Sequence, residues 1–76
     1  MMKVVVNGNN YEALAMSADD VRPGSLVRWK ESRRAYRIVC LDEGDAILRN
    51  LRNPRLLEVE PAHMLVRNCW LLVPES

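Results

Sequence analysis

From Lys3 onward the chain is a succession of short apolar runs, most of them alternating with polar residues and each closed by a turn signal. "KVVV" meets Asn7-Gly8, the dipeptide that best tolerates the positive φ angles of a tight hairpin turn. Tyr11, Ala13 and Ala15 then alternate with Glu12, Leu14 and Met16. This predicts an N-terminal hairpin, with a short helix over 11–16 as the alternative. "SADDVRPGS" is a turn region broken at Pro23-Gly24. "SLVRWK" reads as a strand, with Val27 and Trp29 on one face and Arg28 and Lys30 on the other. "ESRR" turns the chain, and "AYRIVCL" returns with Tyr36, Ile38 and Cys40 on one face. "DEGD" turns again, and "AILRNL" is the next strand. "RNPR" is a turn at Asn53-Pro54. "LLEVE" follows as a strand in which Leu57 and Val59 face away from Glu58 and Glu60. "PAHML" suits a single 3₁₀ turn, because Pro61 has no N–H to give to a ladder. "LVRN" and "CWLLV" read as closing strands, and Pro74 ends the ordered chain. Strands at roughly ten-residue spacing with turns between them predict an all-β antiparallel barrel or sandwich. No window long enough to matter carries helical periodicity.

The order of these pieces resembles an SH3-like small barrel. The residues that carry the likeness are "RPGSLVRWK", a hairpin, "AYRIVCL", "AILRNL", "LLEVE" and the short "PAHML" turn before a last strand. It covers about residues 21 to 68. The resemblance implies a small antiparallel SH3-like barrel with an added N-terminal β-hairpin and one short 3₁₀ turn. As a single domain over 1–76, this divides into a hairpin and turn (1–20), a barrel core (21–68) and a C-terminal strand and tail (69–76). Signalling SH3 domains carry an aromatic run for Pro-rich ligands that this chain lacks, since Trp29, Tyr36 and Trp70 are its only candidates. SH3-like barrels of bacteria and phages serve nucleic-acid binding, protein assembly and inhibition of host factors, so fold alone does not choose among these.

A chain of 76 residues sets one domain as the ceiling and allows only a thin core, which contains no Phe. Its net charge of +1 argues against a strongly basic nucleic-acid binder. The distribution changes that picture. Residues 22 to 55 hold nine basic against four acidic side chains, and the remainder holds two against six. Nine of the eleven basic residues are Arg, which suits forked contacts to phosphate or carboxylate. A GC-rich genome supplies Arg as well. The N-terminal apolar run is too short for a signal peptide and no later run could span a bilayer, so a cytoplasmic protein is expected.

The candidate chemistry is sparse. Cys40, His63 and Cys69 are the only soft metal ligands, and a structural zinc site needs four, so no metal and no cofactor is expected. Both thiols lie in apolar runs, where they are expected buried, unpaired and inert. No nucleophile–base spacing and no glycine-rich phosphate loop is present, so no catalytic residue is expected and the protein is read as a non-enzyme.

The basic cluster remains. Successive tips of a meander lie at alternating ends of a sheet. The tips at 31–34 and 52–55 therefore share one end, and Asp42, Glu43 and Asp45 take the other. Arg28 is expected opposite Arg37, an unfavourable like-charge pair that calls for an anion or acidic neighbour. Glu58 and Glu60 could pair across to Arg49 and Arg37. The candidate binding residues are Arg28, Lys30, Arg33, Arg34, Arg37, Arg52 and Arg55, with Trp29 and Tyr36 either stacking on a ligand or filling the core. Two functions follow. One is a protein-binding accessory or inhibitor module of phage or bacterial type, whose arginines meet an acidic patch on a protein partner while the N-terminal hairpin or the Trp70 edge supplies apolar contact. The other is a nucleic-acid-binding accessory barrel that contacts phosphates. The acid-rich remainder of the chain ranks the protein partner first. No membrane partner is expected, and a homodimer is open.

Overall fold

The structure is a computed structural model that describes residues 2–75. Two tight turns set its hairpins. Asn7 (φ 51°) and Gly8 (φ 80°) join β1 (Met2–Val6) to β2 (Asn9–Ala15), and Glu43 (φ 49°) and Gly44 (φ 86°) join β4 (Ala35–Asp42) to β5 (Asp45–Asn50). Positive φ at both central positions is the turn that matches the twist of flanking strands. The other strands are β3 (Leu26–Trp29), β6 (Leu57–Pro61) and β7 (Cys69–Pro74). Every pairing is antiparallel, and the order across the sheet is β1-β2-β7-β3-β4-β5-β6. The fold is all-β, as the alternation predicts. It is an open, curled half-barrel with β1 and β6 at its edges.

The 3₁₀ turn and the helix are not where the sequence places them. The 3₁₀ turn is Ala18–Asp20, where Asp20 accepts hydrogen bonds from the Ser17 backbone N–H (2.8 Å) and hydroxyl (3.0 Å). These bonds hold the Asp20 carboxyl below its ordinary pKa. "PAHML" and "LVRN" together form one short helix, α1 (Ala62–Asn68), instead of a 3₁₀ turn and a strand. Seven residues are too few for a helical period to show in sequence. The available signals were Pro61 at the helix entry and the four-residue spacing of the buried Leu65 and Cys69. Helix α1 carries the chain from the edge strand β6 back to β7. Along the sheet that is four strand spacings, about 19 Å. A helix of this length spans only about 10 Å. The crossing is possible because the sheet curls around the helix.

Each face of the sheet carries a core cluster, and the second face stays open toward β6, where Leu57 and Val59 are exposed. On the first, Met16, Val27, Tyr36, Ile38, Ala46, Leu48 and Cys69 pack around Leu65 of α1, with Val21, Trp29 and Leu71 at the margin. On the second, Val4, Val6 and Ala13 of the N-terminal hairpin fold over Ala35 and Leu72, joined by Tyr11, Leu26, Leu51 and Trp70. The strand "CWLLV" is therefore no addition to a core at 21–68. It lies mid-sheet, bonded to β2 and β3, and feeds both clusters.

The register corrects two further expectations. Arg28 stands opposite Ala35, and Arg37 stands opposite Leu26 on one side and Arg49 on the other. Trp29 N–H donates to the Arg34 carbonyl at 3.1 Å, so the loop is Lys30–Arg33 in place of "ESRR", and this one-residue displacement shifts the pairing by two residues. A β-bulge between Ile38 and Cys40 breaks the alternation in β4. Cys40 consequently leaves the Tyr36–Ile38 face, pairs with Ile47 and is half-buried instead of buried.

Leu65 is the only fully buried residue of α1. Leu65→Ala removes the anchor of the crossing and should cost about 2–5 kcal/mol in equilibrium urea unfolding. A loss under about 1 kcal/mol would mean that the helix is not needed to close that face.

Candidate anion-binding cleft at the β1 edge

The expected basic cluster is divided among several surfaces. Arg28, Arg33 and Arg52 come together across a cleft of about 320 Å³ from residues 2–6, the whole of edge strand β1. Arg28 reaches it from the second face of β3, Arg33 from the β3–β4 loop and Arg52 from the β5–β6 loop. Alternating tips of the meander do bring residues 33 and 52 to one end, and the Asp42–Asp45 turn lies at the other end.

The backbone of β1 adds a second feature to this cleft. In a two-residue hairpin the residues flanking the turn, here Val6 and Asn9, form a hydrogen-bonded pair. Val4–Tyr11 and Met2–Ala13 then repeat that phase, so the N–H and C=O groups of Lys3 and Val5 point away from β2. No hydrogen bond to those groups occurs among the described residues. The cleft thus has unpaired backbone donors and acceptors on one wall and guanidiniums on the other. Sequence reasoning gave the N-terminal hairpin an apolar contact at most and missed the open backbone edge of β1 beside the arginines, because no side chain in "MKVVV" signals it. The Asn7-Gly8 turn, which fixes the phase, was the usable signal.

Arg37 lines a neighbouring cleft of about 300 Å³ with Arg49, Asn7, Tyr11 and Asn50. Arg49 donates to the Pro54 carbonyl at 2.6 Å, and Asn7 donates to the Leu51 carbonyl at 2.8 Å, which ties the N-terminal hairpin to the β5–β6 loop. Arg37 and Arg49 face each other with no carboxylate bridging them among the described ion pairs.

The remaining candidates lie elsewhere. Arg34 reaches Glu58 at 3.7 Å, so Glu58 does not pair with Arg49 or Arg37; Leu57 stands opposite Arg49 and Glu60 opposite Ala46. The Lys30 ammonium sits 4.6 Å from the Trp70 ring centroid, beside Trp29, Glu31 and Arg67. Arg55 is exposed in the β5–β6 loop. Trp29 is half-buried against the first core cluster, and Tyr36 is fully buried there, which takes the Tyr36 ring out of any stacking role. The Tyr36 hydroxyl and Trp29 indole N–H have no hydrogen-bond partner among the described residues. Burial, and after it the Glu58 carboxylate, push the Tyr36 pKa up.

No group of three or more potential metal ligands gathers among the described residues. Cys69 is fully buried, and burial, with a smaller push from Glu60, raises its thiol to about 12. Comparison with protein-family models, curated proteins and solved structures finds no match to this chain.

Two measurements check the placement of the thiols. A maleimide should label Cys40 in the native protein and reach Cys69 only on unfolding. Cys69 and Tyr36 stay neutral in the fold and ionise more readily in the unfolded chain, so stability is full at neutral pH. It should fall as pH rises from about 9 toward 12, read as a declining urea midpoint.

Proposed function

We propose that this protein is a non-enzymatic binding module on an SH3-like framework, and that it takes an extended acidic segment of a protein partner at the β1 edge. The observation that carries this reading is the coincidence of an unpaired strand edge with three guanidiniums in one cleft. An extended segment laid along β1 bonds to the outward N–H and C=O groups of Lys3 and Val5. Its carboxylates then meet Arg28, Arg33 and Arg52. Strand addition supplies affinity through the main chain and selectivity through side chains. A forked guanidinium suits a carboxylate in geometry as well as charge.

The same guanidiniums suit phosphates, which keeps nucleic acid as the competing occupant. A strand edge favours the protein partner, because a phosphodiester backbone offers no amide ladder to pair with it. Of the two stacking candidates, Tyr36 is in the core and Trp29 packs half-buried against it.

The test titrates two labelled probes, an alternating Val-Glu peptide of eight residues and a mixed-sequence single-stranded oligonucleotide. The peptide should bind, and Arg33→Ala/Arg52→Ala should weaken it by about 5- to 30-fold, at roughly 0.5–1 kcal/mol per exposed charge contact. Folding should be unaffected, since exposed loop changes move stability by about half a kcal/mol. Tighter binding of the oligonucleotide, with a salt slope that the double variant flattens by about 0.7 for each phosphate it no longer neutralises, would transfer the cleft to nucleic acid.

A further inference from the structure

The opposite edge of the sheet carries a second surface, of opposite charge. Two flanking hydrogen bonds fix the phase of β6. Asn50 N–H donates to the Leu56 carbonyl at 3.0 Å, and Ala62 N–H donates to the Gly44 carbonyl at 2.8 Å. In the β5–β6 register these bonds place Leu48–Glu58 and Ala46–Glu60 as the hydrogen-bonded pairs between them. The N–H and C=O groups of Leu57 and Val59 therefore point out of the sheet, away from β5. Pro61, next in the same phase, offers no N–H and ends the usable edge.

The side chains around those groups are of two kinds. Leu57 and Val59 share one face and are 53% and 61% exposed. Val59 continues a cross-strand row with Ile47 and Cys40. Glu58 and Glu60 occupy the other face, half-buried. Arg34 touches Glu58 only at 3.7 Å and from an exposed position, a contact worth little. Folded proteins commonly protect edge strands with lysine, a bulge or an inward charge. This edge carries its terminal proline and, on the core-side face of Leu48 and Ala46, the half-buried Glu58 and Glu60, which deter an apolar or acidic strand and leave a basic one free to pair.

Charge selects the occupant. If β6 paired with β6 of a second copy and kept the apolar faces together, any antiparallel overlap longer than three residues would set Glu58 opposite Glu58 or Glu60, or Glu60 opposite itself. Like charges directly opposite are unfavourable. A strand that alternates apolar residues with Lys or Arg reverses the sign of each such pair. It also covers Leu57 and Val59 with its apolar side chains. We propose that β6 is a docking edge for an extended segment of another protein that alternates apolar and basic residues, bonded through the backbone of Leu57 and Val59. This surface is independent of the arginine cleft at β1.

The test uses an alternating Val-Lys peptide of eight residues, with the Val-Glu peptide as its counterpart, and follows backbone amide shifts on ¹⁵N-labelled protein. The Val-Lys peptide should shift the amides of residues 57–60 and protect those of Leu57 and Val59 from hydrogen exchange, leaving residues 2–6 unchanged. Val59→Pro removes the outward N–H without touching the β5 ladder, and proline is tolerated on an edge. It should weaken the Val-Lys peptide at least tenfold, with the far-UV spectrum preserved. Glu60→Lys keeps the backbone and should bring the preference for the Val-Lys over the Val-Glu peptide down several-fold at this edge, which serves if Val59→Pro fails to fold. Undiminished binding by either variant would overturn the proposal. So would equal binding of both peptides at β6 of the native protein, or sedimentation showing a dimer of the protein alone that Val59→Pro dissolves. Loss of Val-Glu binding through Arg33→Ala/Arg52→Ala concerns only the β1 cleft, so the two readings fail separately.

Discussion

The structure depends on β7 reaching the middle of the sheet. This strand follows the other six yet lies between β2 and β3, and among the described residues it is what joins the N-terminal hairpin to the β3–β6 meander within the ladder. Its alternation serves both sides at once: Cys69 and Leu71 meet the first core cluster, Trp70 and Leu72 the second. A strand buried on two faces needs apolar residues at consecutive positions, which is why "CWLLV" does not alternate with polar residues. Removing β7 would strip one face of the hairpin's cover and leave α1 with nowhere to lead. Contacts between chain ends are formed late, because closing a long loop costs entropy before any contact repays it.

That arrangement also leaves the two edges as they are. With β7 occupying the centre, the first strand and the last meander strand are pushed outward as β1 and β6. Neither has a partner on its outer side in the sheet. The bulge in β4 completes the asymmetry. By turning Cys40 to the outer face, it extends the apolar row of Ile47 and Val59 at one edge, while the arginine loops overhang the other.

The sequence made the strands legible where alternation was strict and turns were strong. Asn7-Gly8 and the "DEGD" turn sit where positive φ requires them, and Val27, Tyr36 and Ile38 fall on the expected face. It hid what depends on a single inserted residue or on distance in the chain. The bulge at Val39 moves Cys40 across the sheet without any mark in composition. The β3–β4 loop, displaced by one residue, moves Arg28 from Arg37 to Ala35, so the like-charge pair forms between Arg37 and Arg49 instead. Helix α1 is too short to declare a period. Of the candidate site, the shared position of Arg33 and Arg52 was readable from meander topology alone. The meeting of β1 with those arginines was not, because it rests on the curl that folds the N-terminal hairpin over the second face.

The near-zero net charge conceals all this, since it averages two ends that a ligand meets separately. Strand β4 runs eight residues from Ala35 to Asp42, about 26 Å at the usual rise per residue. Arg33 and Arg34 precede its start and Asp42 and Glu43 close its end. The screening length at physiological salt is about 8 Å, so three such lengths separate the basic tips from the acidic turn. A ligand approaching the β1 cleft meets the field of its arginines with almost no compensation from the far end. Low net charge and a charged binding site are therefore compatible here, provided the ligand is short enough to stay at one end. A segment of a few extended residues meets that condition; a long polyanion lying the length of the molecule would not.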